Sequence, residues 1–178
     1  MRDSSKNERL ISFKPIGIVH VRYSDDIVRN SINGVDGIVE VFPEYEEGLE
    51  TIEGYSHVIL VSYLHKVGES NRSILKVRFR KWERLGVNLN GIPYVGVFAT
   101  DSPHRPNPIG VSIVKLIRRE GRFLYVENLD LFDGTPILDI KGYGYDRIIS
   151  DIRVPKWYVT LVARIKEKFK NASETIAP

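Results

Sequence analysis

A chain of 178 residues is long enough for one domain with a sizeable core and too short for several. Its 26 basic and 23 acidic residues leave a formal charge of +3, which permits an anionic partner without demanding one. The absence of cysteine excludes a disulfide framework and any thiolate metal site, and it agrees with a reducing, cytoplasmic setting. The opening MRDSSKNERLISFK has no apolar core of the kind a secretory signal needs, and the longest apolar run, HVILVSYLH, is too short to cross a bilayer, so no membrane partner is expected.

Residues 1–13 read as a flexible N-terminus, residues 14–146 as the folded domain, and residues 147–178 as a basic helix and tail. PIGIVHVRY (Pro15 to Tyr23) is rich in β-branched and aromatic residues and reads as a strand, as does GIVEVF (Gly37 to Phe42) after a glycine-bearing loop. PEYEEGLETIEGY reads as a short helix, with Pro43 at the first helical position, acidic residues in the first turn, and Leu49 and Ile52 as its apolar side. SHVILVSYLH reads as a strand covered on both faces because its apolar run is unbroken. ILKVRF (Ile74 to Phe79) alternates, IPYVGVFAT follows, and GVSIVKLI, RFLYVENLDLF and TPILDIKGY complete the strands. The last segment, VPKWYVTLVARIKEKFK, reads as a helix with Tyr158, Val162, Ile165 and Phe169 on one stripe and Arg164, Lys166, Lys168 and Lys170 away from it. Many short strands with one inserted and one terminal helix predict a mainly β fold, a single small antiparallel barrel. No glycine-rich turn links a strand to a long helix, so a Rossmann unit is excluded.

Three stretches carry candidate chemistry. DSPHRPNPIGVS (Asp101 to Ser112) holds three prolines, and Ser102, Arg105 and Asn107 each precede one, which forces an extended, stiff loop. Such a loop presents His104, Arg105 and Asn107 with little entropy left to lose on binding. Arg105 suits a phosphate or carboxylate and Asn107 an amide or base edge; the plain alternative is a structural crossover. Asp133-Gly134-Thr135-Pro136 has ordinary turn chemistry, whose amides and carbonyls can also hold a small polar ligand. His65 ends the β run as either a structural or a functional histidine. The four histidines lack HxxxH or HExxH spacing, so no metal is expected, and without G-x-S-x-G a serine hydrolase has little support.

Taken together, IGIVH, EGLETIEGYSHVILVSYLH, GVFATDSPHRPNPIGVS and DLFDGTPILDIK resemble, in order and spacing, the TsaA-like or tRNA methyltransferase O family over about Pro15 to Tyr143. The resemblance implies a small barrel that binds S-adenosylmethionine as its cofactor, needs no metal, and works as a homodimer with the site near the subunit interface. It implies N6-methylation of N6-threonylcarbamoyladenosine beside the anticodon of a tRNA. The cofactor contacts implied are His65, Lys66, Asp101, Val111 and the turn Asp133, Gly134, Thr135 and Pro136. Arg105, Asn107 and Asp139 match further motif positions, implied as loop supports or substrate contacts and, with Asp133, as the catalytic set; His104, Arg105 and Lys141 are positions implied to meet the tRNA. Arg29, Asn30, Ser31 and Ile32 fall where family members use a loop after the first strand. Asp101 stands where the family has arginine. A non-catalytic cofactor- or RNA-binding relative, or a methyltransferase with another substrate, is the alternative.

Overall fold

The computed structural model describes residues 11–170; the expected flexible N-terminus and the end of the tail lie largely outside that range. Six strands close an antiparallel barrel in the order β1-β2-β7-β6-β3-β8. They are β1 (Gly17–His20), β2 (Val35–Val41), β3 (His57–Tyr63), β6 (Ile109–Glu120), β7 (Phe123–Leu129) and β8 (Pro136–Gly142). β4 (Lys76–Val77) and β5 (Val95–Gly96) form a separate two-stranded ladder. Inward-facing Val19, Val39, Val58, Leu60, Val114, Leu124, Leu129 and Ile137 are fully buried and fill the barrel. Closure removes the sheet edges that would otherwise pair with other chains.

The barrel is mainly β as expected, but several elements differ from the sequence reading. β3 is not covered on both faces: Val58, Leu60 and Ser62 are buried while Ile59 and Val61 are half-buried, because a closed barrel has only one interior. The segment after β2 is two 3-10 helices, Pro43–Leu49 and Ile52–Gly54, interrupted where Thr51 takes the left-handed conformation (φ 66°). The ILKVRF and IPYVGVFAT strands shrink to the two-residue β4 and β5. Phe79 instead turns into a second core, and Val97–Ala99 forms a 3-10 turn.

Among the described residues there are four α-helices rather than two: α1 (Asp25–Asn30), α2 (Glu69–Arg72), α3 (Arg80–Arg84) and α4 (Lys156–Lys168). α4 is the expected terminal helix, but it buries Leu161 and Ile165, and Tyr158 is 45% exposed. Its buried side packs on Val87, Leu89 and Ile92, with Phe79, Trp82 and Phe169 around them, as a satellite core separate from the barrel. Tyr158 lies a turn beyond the edge of that small core. Arg164 fastens the helix further by donating to the carbonyls of Asn88 (2.9 Å) and Asn90 (2.7 Å).

Strand polarity decides where the site can be. β1 and β3 end, and β6 and β8 begin, at the same mouth, since Ile18 faces Pro136, Ser62 faces Ile137 and Tyr63 faces Ile109. The three connections 21–34, 64–108 and 130–135 therefore all leave from that mouth. They contain the candidate site residues named from the sequence except Val111 on β6 and Pro136, Asp139 and Lys141 on β8.

Candidate cofactor site

The turn between β7 and β8 is sewn to the end of β1. Asp133 Oδ1 accepts from the Val21 amide (3.0 Å), the Gly134 amide donates to Val19 O (2.9 Å), and the Val19 amide donates to Thr135 O (3.0 Å). Thr135 is buried, and its hydroxyl donates to Phe132 O (2.7 Å). Gly134 adopts a positive φ of 76°, which the Asp-Gly turn requires. A Cβ built on Gly134 would stand 4.0 Å from His65 Nε2, so the turn and the end of β3 face one another.

His65, Lys66 and α1 complete one wall. Lys66 Nζ pairs with both carboxylate oxygens of Asp25 (2.8 and 2.7 Å), and it stands 5.2 Å from the centroid of the Phe132 ring. Arg29 stands 5.3 Å from the same ring and pairs with Asp26. Two cations thus converge on one aromatic ring beside the Asp133 turn. His65 opens onto the mouth with its imidazole partly desolvated. That desolvation, followed by the Lys66 charge, holds the ring below its ordinary pKa, against the pull of Asp25 and Asp133. His65 is therefore neutral at neutral pH and can accept or donate a hydrogen bond.

The proline loop forms the next wall, joined to His65 through its end: the Leu64 amide donates to Pro108 O (2.7 Å), and Gly110 packs against Ser62 and Leu64. Arg105 is committed to the loop itself. Its Nε donates to Ser102 O (2.8 Å), and one terminal nitrogen donates to Val97 O (3.2 Å) and Thr100 O. The Ser102 amide bonds Thr100 Oγ1 (3.1 Å) and the His104 amide bonds Ser102 Oγ (3.3 Å). Prolines and a central guanidinium together fix the loop. Asp101 and Asn107 are exposed on it.

Other candidate residues are arranged differently. Ser31 O accepts from Lys81 Nζ (2.6 Å), which brings α3 to the loop after α1; burial depresses the Lys81 pKa, against the pull of Asp130. Asp130 in turn accepts from the buried Ser112 hydroxyl (2.5 Å), next to Val111. Val111 is exposed on the outer face of β6. Asp139 and Lys141 pair with one another on the outer face of β8. Asp139 also lines a cleft of about 530 Å³ with Glu44, Glu47 and Tyr45, away from the hydrogen-bond network of the 133–135 turn. Asp25, Phe132, Lys81 and Asp130 were not singled out from the sequence. Ser24 ahead of Asp25-Asp26 was the available signal for α1, but six residues show no helical period.

Five buried side-chain atoms lack a hydrogen-bond partner among the described residues: Asn30 Oδ1, Ser62 Oγ, Arg72 Nε, Arg78 Nε and His104 Nδ1. Asn30 Oδ1, Ser62 Oγ and His104 Nδ1 belong to α1, the end of β3 and the proline loop of this mouth, whereas Arg72 lies on α2 and Arg78 on the satellite segment. Buried polar groups are seldom left unpaired, so the Asn30, Ser62 and His104 atoms are groups that a water or a polar ligand can satisfy. Among the described residues no cluster of His, Asp or Glu has the geometry to hold a metal, and no helix is long and apolar enough to cross a membrane.

Comparison with known proteins places this arrangement. Residues 27–147 match the tRNA-methyltransferase O N-terminal domain. A probable S-adenosyl-L-methionine-binding protein of Pyrococcus abyssi is 40% identical over 143 residues, 75% of this chain and 68% of that protein. A mouse tRNA (adenine(37)-N6)-methyltransferase is 42% identical over 106 residues, 60% of this chain but 22% of that protein. The crystal structure of TrmO from Pseudomonas aeruginosa aligns with a TM-score of 0.60 at 31% identity, covering 81% of this chain and 61% of that one. The chain thus spans about two thirds of the Pyrococcus relative and less than a quarter of the mouse enzyme. With more than half of its residues inside the domain match and the same barrel in a solved relative, the chain belongs to the tRNA-methyltransferase O family.

Proposed function

We propose that the protein is an S-adenosylmethionine-dependent tRNA (adenine-N6)-methyltransferase whose acceptor is N6-threonylcarbamoyladenosine beside the anticodon. The observation that carries the reading is the meeting of His65, Lys66, the Asp133–Thr135 turn and the proline loop at one barrel mouth. The mouse relative named as a tRNA adenine-N6 methyltransferase supports the reaction, and the Pyrococcus relative supports the cofactor.

These residues fit S-adenosylmethionine, an amphoteric ligand. Lys66 and Arg29 offer charge to its carboxylate, Asp25 and Asp133 to its amine and sulfonium, and the carbonyls of Asp133 and Gly134 to its adenine. When bound, it supplies an activated methyl group on a sulfonium that leaves as a neutral thioether. The protein's work is then to orient the acceptor and remove a proton. We assign the N6 proton to Asp133, whose Oδ2 has no hydrogen bond among the described residues, rather than to Asp139, which is paired with Lys141. Arg105 is assigned the task of holding the loop, His104 and Lys141 remain the groups offered to the tRNA, and the exposed Asn107 joins them. The assembly we propose is a cytoplasmic homodimer.

Nucleoside mass spectrometry of tRNA from cells with and without the gene tests the reading. The expected result is loss of one methyl group from threonylcarbamoyladenosine in the deletion. An unchanged nucleoside profile, with a melting temperature still raised by S-adenosylmethionine, would instead favour the cofactor-binding relative. That second reading draws on the exposed Asp101 and on the Pyrococcus relative, whose name records binding only.

A further inference from the structure

Charge is divided very unevenly in this chain. Residues 76–92 and 153–170, which build the satellite core, hold eleven basic side chains against two acidic ones. The remainder holds fifteen against twenty-one. The nearly neutral total therefore hides an acidic barrel and a strongly basic satellite. Of the satellite's cations, Arg78 is paired with Glu83, Arg164 is spent on the Asn88 and Asn90 carbonyls, and Lys81 is turned toward Ser31. Arg80, Arg84, Lys156 and Lys168 are exposed and have no ion pair among the described residues.

Helix energetics explain only part of this pattern. Lys166 and Lys168 in the last turn of α4 answer the negative end of its dipole. Lys156 opens the helix, where a cation is disfavoured, and the first turn carries no acidic residue to compensate. Arg80 and Arg84 are four apart on α3, a like-charge spacing that destabilises a short helix. Lys156, and Arg80 beside Arg84, are kept against local preference, and the exposed cations gathered on this one unit point to an anionic partner. Tyr158 on α4, 45% exposed, adds a stacking surface for a base.

The satellite is also tied to the candidate cofactor site. Lys81 on α3 bonds Ser31 (2.6 Å), at the end of the helix that supplies Asp25 to Lys66 and Arg29 to the Phe132 ring. We propose that the unit built from α3, the 85–92 loop and α4 is the docking platform for the tRNA phosphate backbone, holding the RNA beside the barrel mouth. This rests on tRNA being the substrate. The acidic remainder of the barrel would repel phosphates and so restrict docking to this face.

The test is binding of an unmodified tRNA transcript to the full chain, measured by fluorescence anisotropy across about 50–200 mM salt, where phosphate contacts have a large effect on affinity. The combined variant Arg80→Ala, Arg84→Ala, Lys156→Ala and Lys168→Ala should bind at least tenfold more weakly. Its slope of log K against log salt should be shallower by about two to four, at roughly 0.7–0.9 per lost contact. The charge-conserving set Arg80→Lys, Arg84→Lys, Lys156→Arg and Lys168→Arg should bind within about threefold of the parent, because an unspecific phosphate contact asks only for charge. The melting shift caused by S-adenosylmethionine should be the same in all three proteins. An alanine variant that keeps both affinity and slope would overturn the platform, as would one that loses only its binding to anionic phosphatidylserine vesicles. Because binding is read without turnover, the platform can fail while methylation is observed, and methylation can fail while the platform holds.

Discussion

Arg105 shows how a side chain offered as a ligand group can instead hold a loop. Its guanidinium donates to the carbonyls of Val97, Thr100 and Ser102, and Val97 O also accepts from the Thr100 amide and hydroxyl. Arg105→Ala strips donors from partly buried carbonyls and should destabilise the protein by about 2–3 kcal/mol, measured by denaturant unfolding. Arg105→Lys should recover less than half of that loss, since an ammonium cannot match the planar fork; full recovery would mean that charge alone matters. Asp101, by contrast, is exposed and makes no ion pair among the described residues, so the loop's own hydrogen bonds do not depend on it. His65 makes a second prediction. Its folded pKa lies below that of the unfolded chain, so between the two values the unfolded state binds more protons. Its contribution is complete above the ordinary histidine pKa and is lost as pH falls through the window below it. His65→Gln should flatten the fall in melting temperature below about pH 6.5, the ordinary histidine value; an unchanged slope would count against the desolvation of this ring.

At the scale of elements, the two cores should respond separately. Leu161→Ala removes a buried side chain from the satellite core, where a comparable core truncation costs about 2–5 kcal/mol. We expect faster amide exchange and proteolysis in α4 and the 85–92 loop with unchanged protection in β3 and β6. Uniform loss of protection would show that the cores unfold as one. The barrel strands were legible because alternation and turn residues are local: β6, β7 and β8 fall where GVSIVKLI, RFLYVENLDLF and TPILDIKGY predict them. The satellite was not legible, because ILKVRF alternates like a strand until Phe79 is drawn out of register into a core that α4 completes from far along the chain. The candidate site was readable in part. The Asp133 turn and proline loop announce themselves by glycine and proline, whereas Asp25 and Phe132 gain meaning only when the barrel brings them to Lys66. Gly34 is a similar case: its φ of 76° and the Asn128 carbonyl that any Cβ there would strike reflect a bulge between β2 and β7 that no local pattern reveals.

For the whole molecule, the outer wall of the barrel argues for a second copy. Val111 is 64% and Ile113 51% exposed on β6, beside half-buried Ile59 and Val61 on β3. A β-branched stripe on a sheet face next to a candidate site is poorly suited to water. A two-fold axis would let the same stripe cover its own copy, and a stable pair needs about 800 Å² from each partner. We expect a dimer by light scattering at micromolar concentration. Ile113→Asp should yield a folded monomer, because Ile113 points away from the barrel interior and an unpaired carboxylate at a dry interface is costly. If the cofactor site is shared between subunits, as Val111 beside this stripe implies, the same variant should also bind S-adenosylmethionine at least tenfold more weakly. A wild-type protein that is monomeric and still binds the cofactor would overturn the shared site, and an Ile113→Asp dimer would place the interface on another face.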